Sequence, residues 1–154
     1  VAIPGGEKNK VRQMIFTGFN KCCYPYQKFD SVDGELRLAQ ILENDASVVR
    51  WMKPRPGQFR IEYTNGRNYE PDFVVEMNNG YCLIEPKKAN EIDTPEVQTK
   101  TRAALRWCEF ANQNAAKNGG KVWRYALIPH NEIELSRTVS GLMADFMMTN
   151  SLSA

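Results

Sequence analysis

Histidine is almost missing from this chain. The single one, His130, has no second His or Cys spaced to share a metal with it, and no serine lies beside it to suggest a nucleophile and its base. The four cysteines, Cys22, Cys23, Cys82 and Cys108, include no Cys-x-x-Cys pair, and the adjacent Cys22 and Cys23 are poorly placed to share a zinc. A structural zinc site and a Ser-His-Asp triad are therefore not expected. No apolar run approaches the roughly 18 residues that a bilayer span requires, so no membrane partner is expected. The start, Val-Ala-Ile-Pro-Gly-Gly-Glu-Lys, lacks the basic segment and apolar core of a secretion signal. Free thiols in a reducing, cytoplasmic setting follow as the expectation. No glycine-rich loop of the phosphate-cradling kind occurs, so an ATP-driven motor would have to lie outside this stretch. Charge is nearly balanced, at +2, which is too little to argue for nucleic acid by itself.

What remains is ordinary globular material. The 154 residues suit one domain with a true core, and 42% hydrophobic with 25% charged residues are typical of that class. The first residue is Val, which suggests a piece of something longer. Residues 1–28 carry the breakers Pro4-Gly5-Gly6 and Pro25 and are expected to be a connector or the edge of an upstream domain. Residues 31–45 predict an amphipathic helix capped by Ser31, with Leu38, Ile41 and Leu42 facing the core and Gly34 weakening the first turn. After the break at Lys53-Pro54-Arg55-Pro56-Gly57, three strands are expected: 59–63, 72–77 and 81–85, with turn signals at Asn65-Gly66 and Asn79-Gly80. A long helix over 95–117, capped by Thr94 and Pro95 and stopped by Gly119-Gly120, precedes a strand over 122–128 and a last helix over 131–148. The order αβββαβα predicts an α/β fold with a mixed four-stranded sheet flanked by helices.

One constellation carries chemistry. Side chains alternate along a strand, so Glu85 and Lys87 share a face. A tight turn at Asn79-Gly80 places Asp72 opposite Lys87, whereas a turn at Asn78-Asn79 places it opposite Glu85. Either register brings two carboxylates and an ammonium within cross-strand reach. Two neighbouring carboxylates invite a hard divalent cation, Mg²⁺ or Mn²⁺. Such an ion can polarise a phosphoryl oxygen and acidify a bound water, and a nearby lysine can orient that water. The pattern suits phosphodiester hydrolysis. Cys82 alternates onto the opposite face and reads as core, as do Trp51, Trp107 and Trp123.

Pro71-Asp72-Phe73-Val74-Val75, a hairpin, and Leu83-Ile84-Glu85-Pro86-Lys87 resemble the PD-(D/E)xK nuclease signature. With Phe29-Asp30-Ser31, Glu35, the helix containing Leu42, Tyr69 and Ala104-x-Arg106-Trp107-Cys108, the chain resembles the C-terminal endonuclease domain of type III restriction enzymes and related helicase-nucleases. The resemblance implies a restriction-endonuclease-like core and a nuclease domain over 29–154. It also implies metal ligation by Asp72, Glu85 and the Pro86 backbone carbonyl, with Glu35 aiding metal or water binding. Lys87 would position the nucleophilic water, and Gln98 would be a supporting polar residue. Pro86 departs from the usual pattern, because it withdraws an N–H from the strand ladder while keeping its carbonyl. The implied partners are DNA, an upstream helicase domain and a methyltransferase or recognition subunit. Two alternatives share the fold: a catalytically inactive module that binds DNA or a partner, and a repair-type nuclease.

Overall fold

The computed structural model describes residues 10–149; the Pro4-Gly5-Gly6 break lies outside them. Ser31 opens the first helix as expected, its extended backbone breaking the chain direction and its Oγ accepting from Glu35 N at 3.1 Å. The first turn, Val32–Leu36, is wound as a π-helix, with Leu36 N donating to Ser31 O at 3.0 Å, and it runs into α1 (Arg37–Asn44). A strand, β1 (Val48–Met52), follows directly. Next come β2 (Ile61–Thr64), β3 (Arg67–Tyr69), β4 (Phe73–Met77) and β5 (Gly80–Lys87), then α2 (Pro95–Asn118), β6 (Val122–Pro129) and α3 (Val139–Phe146).

The main sheet has the order β1-β4-β5-β6, with β5 and β6 parallel and the other two pairings antiparallel. It is mixed and four-stranded, but not with the strands expected. The segment at 59–63 contributes β2, which pairs with β3 across Asn65-Gly66 as a separate two-stranded ribbon. The fourth strand of the sheet is β1, for which the sequence analysis gives no strand. Its exposure runs buried, exposed, exposed, buried, and its register slips between Val48 and Arg50, so the alternation that marks a half-buried strand is absent there. The element order is accordingly αβββββαβα.

Alternation in the central strands sorts two cores. Phe73, Val75, Met77, Cys82, Ile84, Ala126 and Ile128 face α1 and α3, meeting Leu38, Ala39, Ile41 and Leu42 from α1 and Val139, Leu142 and Met143 from α3. Leu83, Tyr125 and Leu127 face the other way, onto Val97, Ala104, Leu105 and Cys108 of α2 and onto Ile61 and Tyr69 of the ribbon. Thus helices lie on both faces of the sheet. Trp51 is buried among the first set, while Trp107 and Trp123 pack half-buried against the second.

Two further expectations change. The last helix is shorter than 131–148: His130–Glu132 is one 3-10 turn, and α3 begins at Val139, where Thr138 Oγ1 accepts from Gly141 N at 3.0 Å. Between the two, Ile133 is buried and Leu135 is exposed. In the part of 1–28 that is described, the chain packs on the domain. Val11 is buried in the first core, Phe16 and Phe19 pack against Phe29 and Trp51, and Lys21 and Cys23 hydrogen-bond the Trp51 backbone at the outer edge of β1. No helix among the described residues is long and apolar enough to cross a membrane.

Candidate active site

The β4–β5 hairpin decides the site. Met77 pairs with Gly80 and Phe73 with Ile84, so the turn is Asn78-Asn79 and the register continues to put Asp72 opposite Glu85. The backbone N–H of Asp72 donates to Glu85 Oε2 at 3.1 Å. Lys87, two residues beyond Glu85, lies on the same face of β5. Pro86 is accommodated for a topological reason. Ladder pairing with β4 stops at Ile84, so at Pro86 the strand has a partner on one side only, β6, where Pro86 pairs with Ile128. A proline is tolerated there as it is on an edge strand.

Asp72, Glu85, Pro86 and Lys87 line a cleft of about 830 Å³ at the ends of the central strands. The N-terminal turn of the first helix, with Glu35, forms one wall, and Asn68, Tyr69 and Glu70 from the ribbon end form another. Glu35 is buried and points inward. Its Oε1 accepts from Lys53 Nζ at 2.6 Å and from the Asp30 N–H at 2.9 Å. Gln98 does not line the cleft; its side-chain amide donates to Ile92 O at 2.8 Å and so ties down the loop before α2. Among the described residues, no three His, Cys, Asp or Glu side chains converge into a group able to hold a metal ion by themselves.

Sequence reasoning missed two residues of the cleft, His130 and Glu70, and Lys53, which holds Glu35 in its wall. Lys53 belongs to a basic cluster, Lys53, Arg55 and Arg60, that reads as an exposed loop. His130 follows Pro129, the partner of Lys87 across β5 and β6, and so arrives at the same strand ends from far along the chain. A Cβ on Gly34 would come within 2.3 Å of His130 Nε2, so this glycine, which weakens the helix start, is what lets the imidazole lie against the first turn. Glu70 precedes Pro71-Asp72, and its buried Oε1 has no hydrogen-bond partner. A glycine in the first turn of the expected helix and a glutamate beside Asp72 are the signals the sequence carries.

Burial and mutual repulsion set the electrostatics. Burial pushes the Asp72 carboxyl up to about 6; Glu35 adds to the rise, while Lys53, the hydrogen bond with Glu85, and Lys87 pull it back. Glu85 is held well above the usual carboxylate range, first by burial and then by Asp72. Behind Glu85, burial and the Glu85 charge raise the phenols of Tyr125 and Tyr69, which stay protonated. His130 is lowered, chiefly by burial.

These shifts have a consequence for stability. The folded chain binds protons at Asp72 and Glu85 more tightly than the unfolded chain does. Their contribution to stability is therefore complete below the unfolded carboxylate range; the Asp72 part is lost as pH rises through about 6, and the Glu85 part as pH rises through its own raised range. Without added metal, the wild-type melting temperature is expected to fall between about pH 5 and about pH 7.5. Asp72→Asn and Glu85→Gln, each removing one charge, should flatten that slope and melt at least about 3 °C higher than wild type at the upper end. Variants that melt at or below wild type there would show that the two carboxylates do not repel.

The donor set fits a hard divalent cation. Asp72 and Glu85 face each other, and burial and their mutual repulsion disfavour ionisation even with Lys53 and Lys87 nearby; a further cation would relieve this, and oxygen ligands of this kind suit Mg²⁺ or Mn²⁺ completed by water. No protein-family model matches this chain, and a search of curated proteins finds no match either.

Proposed function

We propose that this chain is a metal-dependent deoxyribonuclease domain with a restriction-endonuclease-like core, hydrolysing phosphodiester bonds in a cleft built by Asp72, Glu85 and Lys87. The observation that carries this reading is the register: Asp72 opposite Glu85, with Lys87 next along the same face, at the open end of a central strand. Ligand sites in α/β sheets favour such strand ends.

Asp72 and Glu85 would hold the cation, with the Pro86 carbonyl as a further oxygen. When bound, the cation supplies Lewis-acid polarisation of a phosphoryl oxygen and a water of lowered pKa. Lys87 presents an ammonium on the face of the carboxylates, where it orients the attacking water and offsets phosphate charge. Lys88 and Lys100 lie on the cleft wall and meet the flanking backbone. Few phosphate contacts of this kind give weak, salt-sensitive affinity. An upstream helicase domain and a methyltransferase or recognition subunit are the partners that would supply the rest.

The test is nicking of supercoiled plasmid with Mg²⁺, with Mn²⁺ and with chelator. Slow, metal-dependent nicking without site preference is expected from this chain by itself. Efficient site-specific cutting would contradict the dependence on partners, and nicking unaffected by chelator would remove the metal. A second reading, a binding module of the same fold that has lost cleavage, is favoured by one observation: the third acid, Glu35, is already neutralised by Lys53. It predicts plasmid binding without nicking under every metal condition.

A further inference from the structure

Lys53 belongs to none of the motifs above, yet it is among the most confined lysines of the molecule. It leaves the end of β1 at the Lys53-Pro54 break, and its side chain retains 14% exposure against 6% for that of Glu35. Its Nζ lies 2.6 Å from Glu35 Oε1 and 5.1 Å from the centroid of the Phe73 ring, one residue from Asp72. The same Glu35 oxygen also accepts the Asp30 N–H. Lys53 and Glu35 act on the Asp72 carboxyl with opposite sign, so all three share one electrostatic neighbourhood.

We propose that Lys53 is a built-in counter-cation that takes Glu35 out of metal binding and leaves Asp72 and Glu85 as the carboxylate pair for one divalent ion. This rests on the nuclease reading, and it changes the role that the resemblance gives Glu35: the acid anchors an ammonium instead of ligating metal. The geometry supports it. Asp72 and Glu85 face each other across the hairpin, whereas Glu35 Oε1 is already taken by the Lys53 ammonium and the Asp30 N–H, so a cation at that oxygen would have to displace both. Recruiting Glu35 as a ligand would strand a buried ammonium, the expensive way to break such a pair.

Calorimetric titration with Mn²⁺ of the wild type, Lys53→Met, Glu35→Gln and the double variant separates the roles. The wild type is expected to take up one ion per chain, lost in Asp72→Asn. Lys53→Met frees a carboxylate and removes a positive charge, so a second ion, or affinity at least about tenfold higher, is expected. The double variant carries a neutral pair in place of the ionic one and should bind a single ion within about threefold of wild type, because no ligand has been lost and the net charge is unchanged. It also keeps the test valid if Lys53→Met does not fold, since it leaves no unpaired buried charge. If Glu35 is itself a ligand, the double variant binds as weakly as Glu35→Gln, and the proposal falls. A wild-type chain that binds one ion through Asp72, with Lys53→Met unchanged in stoichiometry and affinity, overturns the counter-cation role and leaves the nuclease reading intact. A wild-type chain that binds no Mn²⁺ overturns both.

Discussion

Asp72→Asn and Glu85→Gln are each expected to lower Mn²⁺ affinity and plasmid nicking together, whereas Lys87→Ala is expected to lower nicking alone. Asparagine and glutamine keep the shape of the acids but remove the charge that would hold a cation between β4 and β5. With the cation lost, the acidified water is lost too. Lysine is no ligand here. Its removal takes away a positioned, charge-stabilising ammonium, a loss worth on the order of a hundredfold or more in rate. The two acid variants should also melt above wild type near neutral pH, so inactivity through unfolding is separable from inactivity through lost chemistry. Calorimetry and nicking rates on the same three preparations check the asymmetry. Variants that nick as fast as wild type would leave the binding-module reading in its place.

The largest effect on stability is expected from Trp51→Ala. Trp51 retains 1% of its exposure, its ring centroid lies 5.3 Å from that of Phe19 and 5.9 Å from that of Phe73, and its Nε1 donates to Glu43 Oε2 at 2.9 Å. It joins the chain before the first helix to the centre of the sheet. Truncating it leaves a cavity between these rings and removes the indole donor to Glu43, and buried Trp-to-Ala changes cost about 3–5 kcal/mol. For a domain of this size the melting temperature should fall by about 10 °C or more. Trp51→Phe, which keeps most of the ring, should lose much less. Urea unfolding midpoints measure both. Equal losses in the two variants would place the energy in the indole hydrogen bond instead of the packing.

Much of the molecule is legible in one dimension because it is local. Ser31 and the spacing of Leu38, Ile41 and Leu42 mark the first helix; Thr94-Pro95 and Gly119 bound α2, and Gly119 adopts φ 75° as a helix stop requires. Two-residue turns at the β4–β5 hairpin allow two registers, and both put Asp72, Glu85 and Lys87 on one face, because the two differ by an even step in pairing; a three-residue turn would have moved Asp72 to the other face. Choosing between those registers took the backbone, which turns at Asn78-Asn79. β1 has no strand pattern in the sequence because its bulge breaks the alternation, and β2 has the pattern of a sheet strand because a half-buried ribbon strand alternates in the same way. The α/β class and the shared face of Glu85 and Lys87 can be read from the residues, because side-chain direction along a strand follows from local backbone geometry. That Lys53 reaches Glu35 and that His130 lies against Gly34 is visible only in three dimensions. Those meetings depend on where the end of β1 and the end of β6 arrive in space, and a parallel crossover through α2 leaves no local pattern in the residues it joins.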